Sequence, residues 1–311
     1  MVTSKTIDYQ PTVYIETHGC KLNQADSSLL ARDFVGAGYR VASSEQSVDV
    51  YILNSCTVTH VADRKARRAL RAAKRRYPQA IIVAAGCYPE RIPKELESMD
   101  AVDLVFGNHD KQLLVSKVTE RHNEAHDVCQ TSSISNSIEL LNSPWSKTRA
   151  SVKIQEGCNQ VCAYCIVPKV RGRERSILPE AIVSNISELA DEGYKEVVLT
   201  GTQLGSYGFD LSGMDLTGLL RRILGETTIE RIRVSSLQPY DISPDLVDLW
   251  SNPRMCPHFH MPLQSGSDKI LKSMRRRYTS QEYLSAIKYV RSTVANVSVT
   301  ADVIVGFPGE S

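Results

Sequence analysis

The sequence lacks a long hydrophobic run and carries almost no net charge. No apolar stretch approaches the roughly 18 residues of a membrane-spanning helix, which argues against a helical membrane protein. Residues 1–5 lack the apolar core of a signal peptide, so we expect a cytoplasmic protein. The 37 Lys and Arg residues nearly balance the 35 Asp and Glu residues, and the net charge of +2 therefore indicates no class of partner.

Cysteine is too sparse for a protein that is held together by disulfides. Eight cysteines in 311 residues cannot form the dense framework of small secreted domains. In a reducing compartment such cysteines are expected to be metal ligands or core residues. A chain with 42% hydrophobic and 23% charged residues is typical of a folded globular protein, and its length suggests about two domains.

The first hundred residues alternate short apolar runs with helix-like stretches. Four such runs begin near residues 13, 50, 81 and 104. This alternation predicts an open parallel sheet with flanking helices, whose ligand sites lie beyond the carboxyl ends of the strands. The first three runs lead into Cys20, Cys56 and Cys87. We therefore expect these three cysteines at one edge of the sheet.

A polar, turn-prone stretch at 123–147 predicts a linker between an N-terminal domain at 1–122 and a second domain at 148–311. The candidate strands of the second domain are 150–155, 196–201, 231–236, 258–263 and 298–305. Its candidate helices are 179–192, 214–225, 243–251 and 281–293. Five strands of this kind predict a partial (β/α) barrel, and we expect the barrel to be cut short because no helix follows the last strand.

A second group of cysteines follows the first strand of the barrel. Cys158, Cys162 and Cys165 form a C-x3-C-x2-C motif, and three thiolates can bind three corners of a cubane iron–sulfur cluster. One iron then has no protein ligand and can bind a substrate. Zinc needs a fourth ligand, and the nearest histidines in sequence, His126 and His258, are far from the motif.

The loop at 157–165, GCNQVCAYC, resembles the cluster loop of radical S-adenosylmethionine (SAM) enzymes. The resemblance implies a [4Fe–4S] cluster on its three cysteines, with SAM chelating the open iron. It also implies that one electron from the cluster cleaves SAM to give a 5′-deoxyadenosyl radical. The reduction potentials of iron–sulfur clusters reach about −700 mV, and reductive cleavage of SAM is therefore chemically accessible.

The two cysteine groups together resemble the methylthiotransferases, which pair an N-terminal cluster domain with a radical SAM barrel. The matching stretches are THGCKLN at 17–23, LNSCTVT at 53–59, AGCY at 85–88, RGRERS at 171–176, LTGTQ at 199–203, PLQSGS at 262–267 and VGFPGE at 305–310. The resemblance implies a second [4Fe–4S] cluster on Cys20, Cys56 and Cys87, which taken alone also suit small core residues. It further implies that the rest of the barrel and a C-terminal RNA-binding domain are absent here.

Within this family, CKLN at 20–23 and RGRER at 171–175 are most similar to the branch that acts on N6-threonylcarbamoyladenosine (t6A) in tRNA. The implied reaction inserts a methylthio group at C2 of this nucleoside at position 37, giving 2-methylthio-t6A. One SAM would supply the methyl group, a second the radical, and the N-terminal cluster would hold the incoming sulfur. A reductant such as flavodoxin or ferredoxin is implied as a partner, and the sulfur donor is not indicated.

Three alternatives stay open at this point. Related enzymes act on isopentenyladenosine in tRNA or on an aspartate of a ribosomal protein. A non-enzymatic iron–sulfur or zinc module that only binds RNA is a third possibility. Metal and sulfide analysis discriminates here, because two cubanes contain about eight iron per chain with sulfide, whereas zinc alone would exclude the enzymes.

Further candidate residues lie at predicted strand ends and on a basic helix. SAM contacts are expected at the strand ends of the barrel, from Gly201, Thr202, Ser235, Gln264 and Asp302. Asp302 lies inside the fifth predicted strand, where a buried carboxylate either binds the ligand or stabilises the barrel. RNA phosphates are expected to bind two basic stretches, through Arg64, Lys65, Arg67, Arg68 and Arg71 and through Arg171, Arg173 and Arg175. The alternative for the helix is an ordinary solvated face.

Overall fold

Residues 9–42, 47–126 and 148–310 are described by a computed structural model of the chain. They belong to two compact units, Met1–Ser146 and Lys147–Ser311. Within the described ranges, no helix is both long enough and apolar enough to cross a membrane. Most of the predicted linker at 123–147 lies outside the described residues. Its first four residues are helical, because they continue a helix that ends at His126.

A five-stranded parallel sheet forms the centre of the N-terminal unit, in the order β2-β1-β3-β4-β5. The strands are β1 (Thr12–His18), β2 (Arg40–Val41), β3 (Val50–Ser55), β4 (Ile81–Gly86) and β5 (Leu104–Phe106). Every residue of β3 is buried, as expected for a strand that is covered on both faces. The predicted open parallel sheet is confirmed, with β2 as an additional edge strand.

Helices cover both faces of this sheet. They are α1 (Lys21–Gly36), α2 (His60–Arg76), α3 (Cys87–Arg91), α4 (Pro93–Glu97) and α5 (Leu114–His126). Phe34 of α1 and Val118 of α5 belong to one core cluster, whereas Leu70 of α2 and Leu96 of α4 belong to the other. The strands therefore lie between two helical layers, and ligand sites of such sheets occur beyond the carboxyl ends of the strands.

Five parallel strands form a partial barrel in the second unit. They are β6 (Arg149–Lys153), β9 (Glu196–Thr200), β10 (Arg231–Val234), β11 (His258–His260) and β12 (Ser298–Thr300). The ladders join β6 to β9, β9 to β10 and β11 to β12. An isolated parallel bridge between Ser236 and His260 connects β10 to β11. A short antiparallel pair, β7 (Gln155–Glu156) and β8 (Arg175–Ser176), lies beside this arrangement.

Among residues 148–310, the outer layer of this unit consists of six α-helices, three of which begin with a side-chain cap. The helices are α6 (Val167–Val170), α7 (Pro179–Asp191), α8 (Leu216–Glu226), α9 (Pro244–Val247), α10 (Asp268–Ser273) and α11 (Ser280–Thr293). The Asp215 side chain accepts a hydrogen bond from Gly218 N at the start of α8. Thr279 and Glu282 form a capping box at the start of α11. The four predicted helices correspond to α7, α8, α9 and α11.

The last predicted strand, 298–305, is too long. Its ladder with β11 ends at Thr300, and beyond it only Val303 forms a single bridge, with Gln264. Val303 and Val305 are exposed. The apolar alternation suggested a longer strand, but a strand extends only as far as a neighbour pairs with it.

Candidate metal and cofactor centres

Three neighbouring strands of the N-terminal sheet end in register. His18 of β1 pairs with Ser55 of β3, and Ser55 pairs with Gly86 of β4. The backbone N–H of Cys56 donates to the carbonyl oxygen of His18 at 2.7 Å, which ties the first residue after β3 to the end of β1. One cysteine follows each of these strand ends within two residues.

The thiols at this edge influence one another electrostatically. Cys56 and Cys87 are buried, whereas Cys20 is exposed at the start of α1. The pKa of Cys56 is raised by a hydrogen bond with the Cys87 thiol, by burial, and by repulsion from Cys87 and Cys20. A soft metal that displaces these protons would relieve that repulsion, and three thiolates form a donor set suited to iron–sulfur chemistry.

Side-chain amides surround these thiols. The Cys20 thiol donates to Asn23 Oδ1 at 3.3 Å, and Asn108 Nδ2 donates to Cys87 Sγ at 3.4 Å. Asn23 Nδ2 also donates to Asn54 Oδ1 at 3.2 Å. Such outer partners orient metal ligands and tune a cluster. None of the three asparagines was predicted from the sequence, although Asn23 and Asn54 occur within the matching stretches.

The C-x3-C-x2-C loop of the second unit begins with a glycine that no other residue can replace without rearrangement. Gly157 has a φ of +77°, and a Cβ there would overlap the carbonyl oxygen of Arg173. The backbone N–H of the next residue, Cys158, donates to the carbonyl oxygen of Gly172 at 3.1 Å. The loop is thus held against the chain at 172–173, which precedes β8.

The three thiols of this loop lie near one another and are partly exposed. The pKa of Cys158 is raised to about 11, chiefly by burial and also by the negative charges of Glu174, Cys165 and Cys162. Burial also raises the pKa of Cys165, with a contribution from Cys162. Partial exposure leaves a face that a small molecule can approach. Three neighbouring thiols are a donor set suited to the three protein corners of an open cubane, while within the described residues no three His, Cys, Asp or Glu side chains are grouped so that they could hold a single metal ion.

Gln155 connects this loop to the turn after β9. Its buried side-chain oxygen accepts from Thr202 N at 2.9 Å, Thr202 Oγ1 at 3.1 Å and Gln203 N at 3.0 Å. Its Nε2 donates to Gly157 O at 2.8 Å. A Cβ at Gly201 would lie 2.9 Å from the same side-chain oxygen. The structure therefore places Gly201 and Thr202 directly beside the cysteine loop.

Arg276 also lies beside the cysteine loop and was not predicted from the sequence. One of its guanidinium nitrogens donates to Cys162 Sγ at 3.4 Å and to Tyr164 Oη at 3.5 Å. The guanidinium stacks on the ring of Tyr278, 4.9 Å from its centroid, and also binds Gln238 Oε1. A positive charge is thereby fixed next to one of the candidate cluster ligands.

Ser235 and Gln264 lie at strand ends, as predicted. Ser235 is buried directly after β10 and donates its N–H to Leu199 O at 3.1 Å. Gln264 follows β11 with a φ of +66° and donates its N–H to Asp302 O at 2.8 Å. These contacts are made by the backbone and leave the Ser235 and Gln264 side chains to other partners.

Asp302 differs from the prediction. Its side chain is 68% exposed, and its Oδ2 lies 3.2 Å from His260 Nε2. The expectation of a buried carboxylate is wrong because residue 302 lies beyond the end of the β12 ladder. A carboxyl group that is partly buried near the cysteine loop is that of Asp241, whose Oδ2 accepts from Gln238 N at 2.7 Å. Burial raises the pKa of Asp241 to about 6, against the lowering effect of that hydrogen bond and with added repulsion from Glu174.

The basic helix α2 has one buried stripe and one positive face. Its buried residues are Asp63, Ala66, Leu70 and Ala73. The Arg67 guanidinium donates to Tyr88 Oη at 2.7 Å and forms an ion pair with Glu95 at 3.1 Å. Six other basic side chains are exposed and make no ion pair within the described residues: Arg64, Lys65, Arg68, Arg71, Arg75 and Arg76.

Arg171 is not part of the second basic surface. Its side chain is 2% exposed and forms an ion pair with Glu156 at 2.6 Å. The prediction that Arg171 contacts RNA phosphates is therefore wrong, because a buried, paired guanidinium cannot reach a phosphate. Arg173 and Arg175, by contrast, are exposed.

Each of the two units matches a known protein family. Residues 12–107 match a family described as "Uncharacterized protein family UPF0004", and residues 152–311 match the radical SAM superfamily. A threonylcarbamoyladenosine tRNA methylthiotransferase of Aquifex aeolicus is 42% identical over 307 residues, which cover 96% of this chain and 74% of that protein. A tRNA-2-methylthio-N(6)-dimethylallyladenosine synthase of Carboxydothermus hydrogenoformans is 38% identical over 314 residues, covering 97% and 71%.

A solved structure with a similar fold is a radical SAM methyltransferase from Kitasatospora setae with cobalamin and a [4Fe–4S] cluster bound. The TM-score is 0.66 at 14% identity, over 97% of this chain and 71% of that chain, which shows the likeness of fold. The fold and the cysteine loop define a radical SAM enzyme. On the sequence relationships, the chain belongs to the radical SAM methylthiotransferases, and this family uses a [4Fe–4S] cluster and SAM.

Proposed function

We propose that this enzyme methylthiolates tRNA at C2 of t6A, at position 37 beside the anticodon. The observation that carries the proposal is the pair of three-thiol groups, one at the edge of the N-terminal sheet and one after β6. The similarity to the t6A enzyme of Aquifex aeolicus supports this substrate. Because the dimethylallyladenosine enzyme is nearly as similar, that nucleoside is the second candidate.

Two [4Fe–4S] clusters are part of the proposal. Cys158, Cys162 and Cys165 would hold the cluster that binds SAM, while the cysteines of the N-terminal sheet would hold the second one. When bound, the first cluster and SAM supply radical chemistry, which C2–H requires because it is not acidic enough for an ordinary base. A protein such as flavodoxin or ferredoxin would deliver the electrons.

The residues of this chain prepare the site for that chemistry. Gln155 fixes the turn at Thr202 and Gln203 against the cysteine loop through its side-chain amide. Arg276 donates to a cysteine sulfur and thereby stabilises negative charge there. Asp241 accepts from Gln203 Nε2 at 3.5 Å and limits the positions available to that side chain.

The positive face of α2 would contact the phosphates of tRNA. Its unpaired side chains project from a helix that is anchored by a buried apolar stripe, so binding need not disturb the fold. Phosphate contacts weaken with salt, with a log–log slope of roughly 0.7 to 0.9 for each contact. Neutralising Arg68 and Arg71 by Gln should therefore reduce the slope of tRNA affinity against salt by about 1.5. Lys117→Gln, on the exposed and ion-paired face of α5, is the control.

The substrate is tested by nucleoside mass spectrometry. The chain, reconstituted anaerobically, is incubated with SAM, dithionite and a sulfide source, together with tRNA that carries either t6A or isopentenyladenosine. We expect a methylthio product from t6A. A product from isopentenyladenosine alone would assign the enzyme to the other branch, and no product from either tRNA would contradict the proposed function.

Cysteine variants test the division of labour between the two thiol groups. Cys162→Ala should abolish reductive SAM cleavage. Cys56→Ala should stop methylthiolation but leave uncoupled SAM cleavage intact, because the loop after β6 is unchanged. Cys256→Ala is the matched control, since Cys256 is a buried cysteine outside both groups. Loss of both activities in Cys56→Ala, in a folded protein that retains half its iron, would contradict this division.

A further inference from the structure

An open groove of about 470 Å³ lies in the second unit, next to the cysteine loop. It is bounded by the turn at Pro239–Asp241 and by α11, and its lining includes Tyr240, Tyr278, Tyr289 and Arg277. We call it the Tyr240 groove. A volume of this size is within the range of small-ligand sites. None of the residues assigned above to SAM, and none of the cluster cysteines, lines it.

Tyr240 connects the groove to the cysteine loop and to the turn after β9. Gln160, which lies between Cys158 and Cys162, donates its side-chain N–H to Tyr240 Oη. Gln203 Nε2 lies 3.5 Å from the same oxygen. A molecule that occupies the groove therefore lies beside the loop that would hold the radical cluster.

The chemistry of the lining favours an unpaired nucleotide strand. Tyr240 is 44% exposed, and Tyr289 is partly exposed, so aromatic surface is available for stacking. Gln281 and Ser285 add hydrogen-bonding groups such as those that bind base edges. Single-stranded RNA is commonly bound by aromatic rings that stack on bases, combined with basic side chains that contact the backbone.

The charges around the groove complement a phosphate backbone. Arg277 is exposed and makes no ion pair within the described part of the chain, and the same holds for Arg275. The positive charges of Arg276 and Arg277 act on Tyr240 and work against the burial that raises its pKa. Glu282 is the acid among the lining residues, and its carboxylate already accepts from Thr279 N at 2.7 Å.

We propose that the Tyr240 groove binds unpaired nucleotides of the RNA substrate that flank the nucleotide to be modified. This inference rests on the proposed function, because it assigns part of the same RNA to a second surface. Stacking in the groove would splay the loop and present the neighbouring base to the cysteine loop. An acidic electron-donor protein is the alternative occupant of this positive surface, and the test separates the two.

The experiment measures binding of a 17-nucleotide anticodon stem–loop RNA, with 2-aminopurine next to position 37, to the reconstituted chain. Tyr289→Ala should raise the Kd by about 5- to 100-fold and abolish the quenching of 2-aminopurine that accompanies stacking. Tyr289→Phe, which keeps the ring, should bind like the unchanged protein. Arg277→Ala should lower the slope of log Kd against log salt by about 0.7. Arg291→Ala, an exposed arginine of α11 outside the groove, is the matched control.

The possible outcomes separate failure of the groove proposal from failure of the proposed function. If the unchanged protein methylthiolates tRNA while Tyr289→Ala and Arg277→Ala bind the stem–loop normally, the groove proposal is wrong and the proposed function stands. If Arg277→Ala slows only flavodoxin-driven turnover and not dithionite-driven turnover, the groove binds the electron donor and our proposal is likewise wrong. Failure of the unchanged protein to bind or modify RNA contradicts the proposed function itself. Melting temperature and iron content show whether each variant is folded, and Arg277→Ala tests the groove even if Tyr289→Ala does not fold.

Discussion

Replacement of Gly157 by alanine should destabilise the protein for two reasons: the left-handed backbone conformation of this residue and the lack of space for a Cβ. A residue other than glycine at a φ of +77° costs about 1–3 kcal/mol. At Gly157 the added methyl group would also overlap the carbonyl oxygen of Arg173, and overpacking of this kind typically costs a further 1–3 kcal/mol or so. We therefore expect Gly157→Ala to lose about 2–6 kcal/mol of folding free energy.

A matched control isolates the second contribution. Gly213 has a φ of +68°, similar to that of Gly157, but a Cβ there would have no heavy atom within 4 Å. Gly213→Ala should therefore lose only the backbone contribution. For a domain of 150–250 residues, each kcal/mol lowers the melting temperature by about 2–4 °C. The assay is thermal unfolding under anaerobic conditions, followed by circular dichroism, on both variants.

Iron and sulfide analysis supplies an independent measurement. Relief of the overlap must displace either Gly157 or the chain at Arg173, and the bond from Cys158 N to Gly172 O is lost in either case. Gly157→Ala should then retain about half of the iron, because the thiols of the N-terminal sheet are untouched. Equal melting temperatures and equal iron content in the two alanine variants would refute the close approach of the loop to Arg173.

The sequence predicted elements well wherever local pattern determines them. Apolar runs that are covered on both faces located β1, β3 and β4, and each run leads into a cysteine. The short strand β2 was missed because two residues carry no detectable pattern. Asp302 shows the opposite error: alternation suggested a long strand, but the length of a strand depends on a partner that the local sequence does not reveal.

The cysteines of the candidate site stand out in the sequence, whereas the residues that surround them do not. Cys158, Cys162 and Cys165 lie within eight residues and form a motif, whereas Arg276 reaches Cys162 from more than a hundred residues away. Gln155 lies close to the motif, yet its partners at Thr202 and Gln203 are defined only by the packing of β6 against β9. Burial of Arg171 was equally invisible, since a basic stretch does not show which of its members pairs with Glu156.

Two further predictions concern charges beside the cysteine loop. Arg276→Gln should make the midpoint potential of the radical cluster more negative than Arg276→Lys does, because only the glutamine variant removes the positive charge beside Cys162 Sγ. An EPR-monitored redox titration with equal potentials in the two variants would contradict this. Asp241 provides a test by pH. Since its pKa is raised to about 6 by burial, the folded state holds the proton more tightly than the unfolded state, and the stability associated with that proton is lost as pH rises through the folded pKa. Asp241→Asn cannot ionise and escapes this loss, while its side-chain oxygen can still accept from Gln238 N. The stability of the unchanged protein relative to Asp241→Asn should therefore fall by about 1 kcal/mol between pH 5 and pH 7.5, in thermal unfolding at both values. A difference that is constant or that grows in favour of the unchanged protein over this range would show that Asp241 is not held in a buried, proton-retaining position.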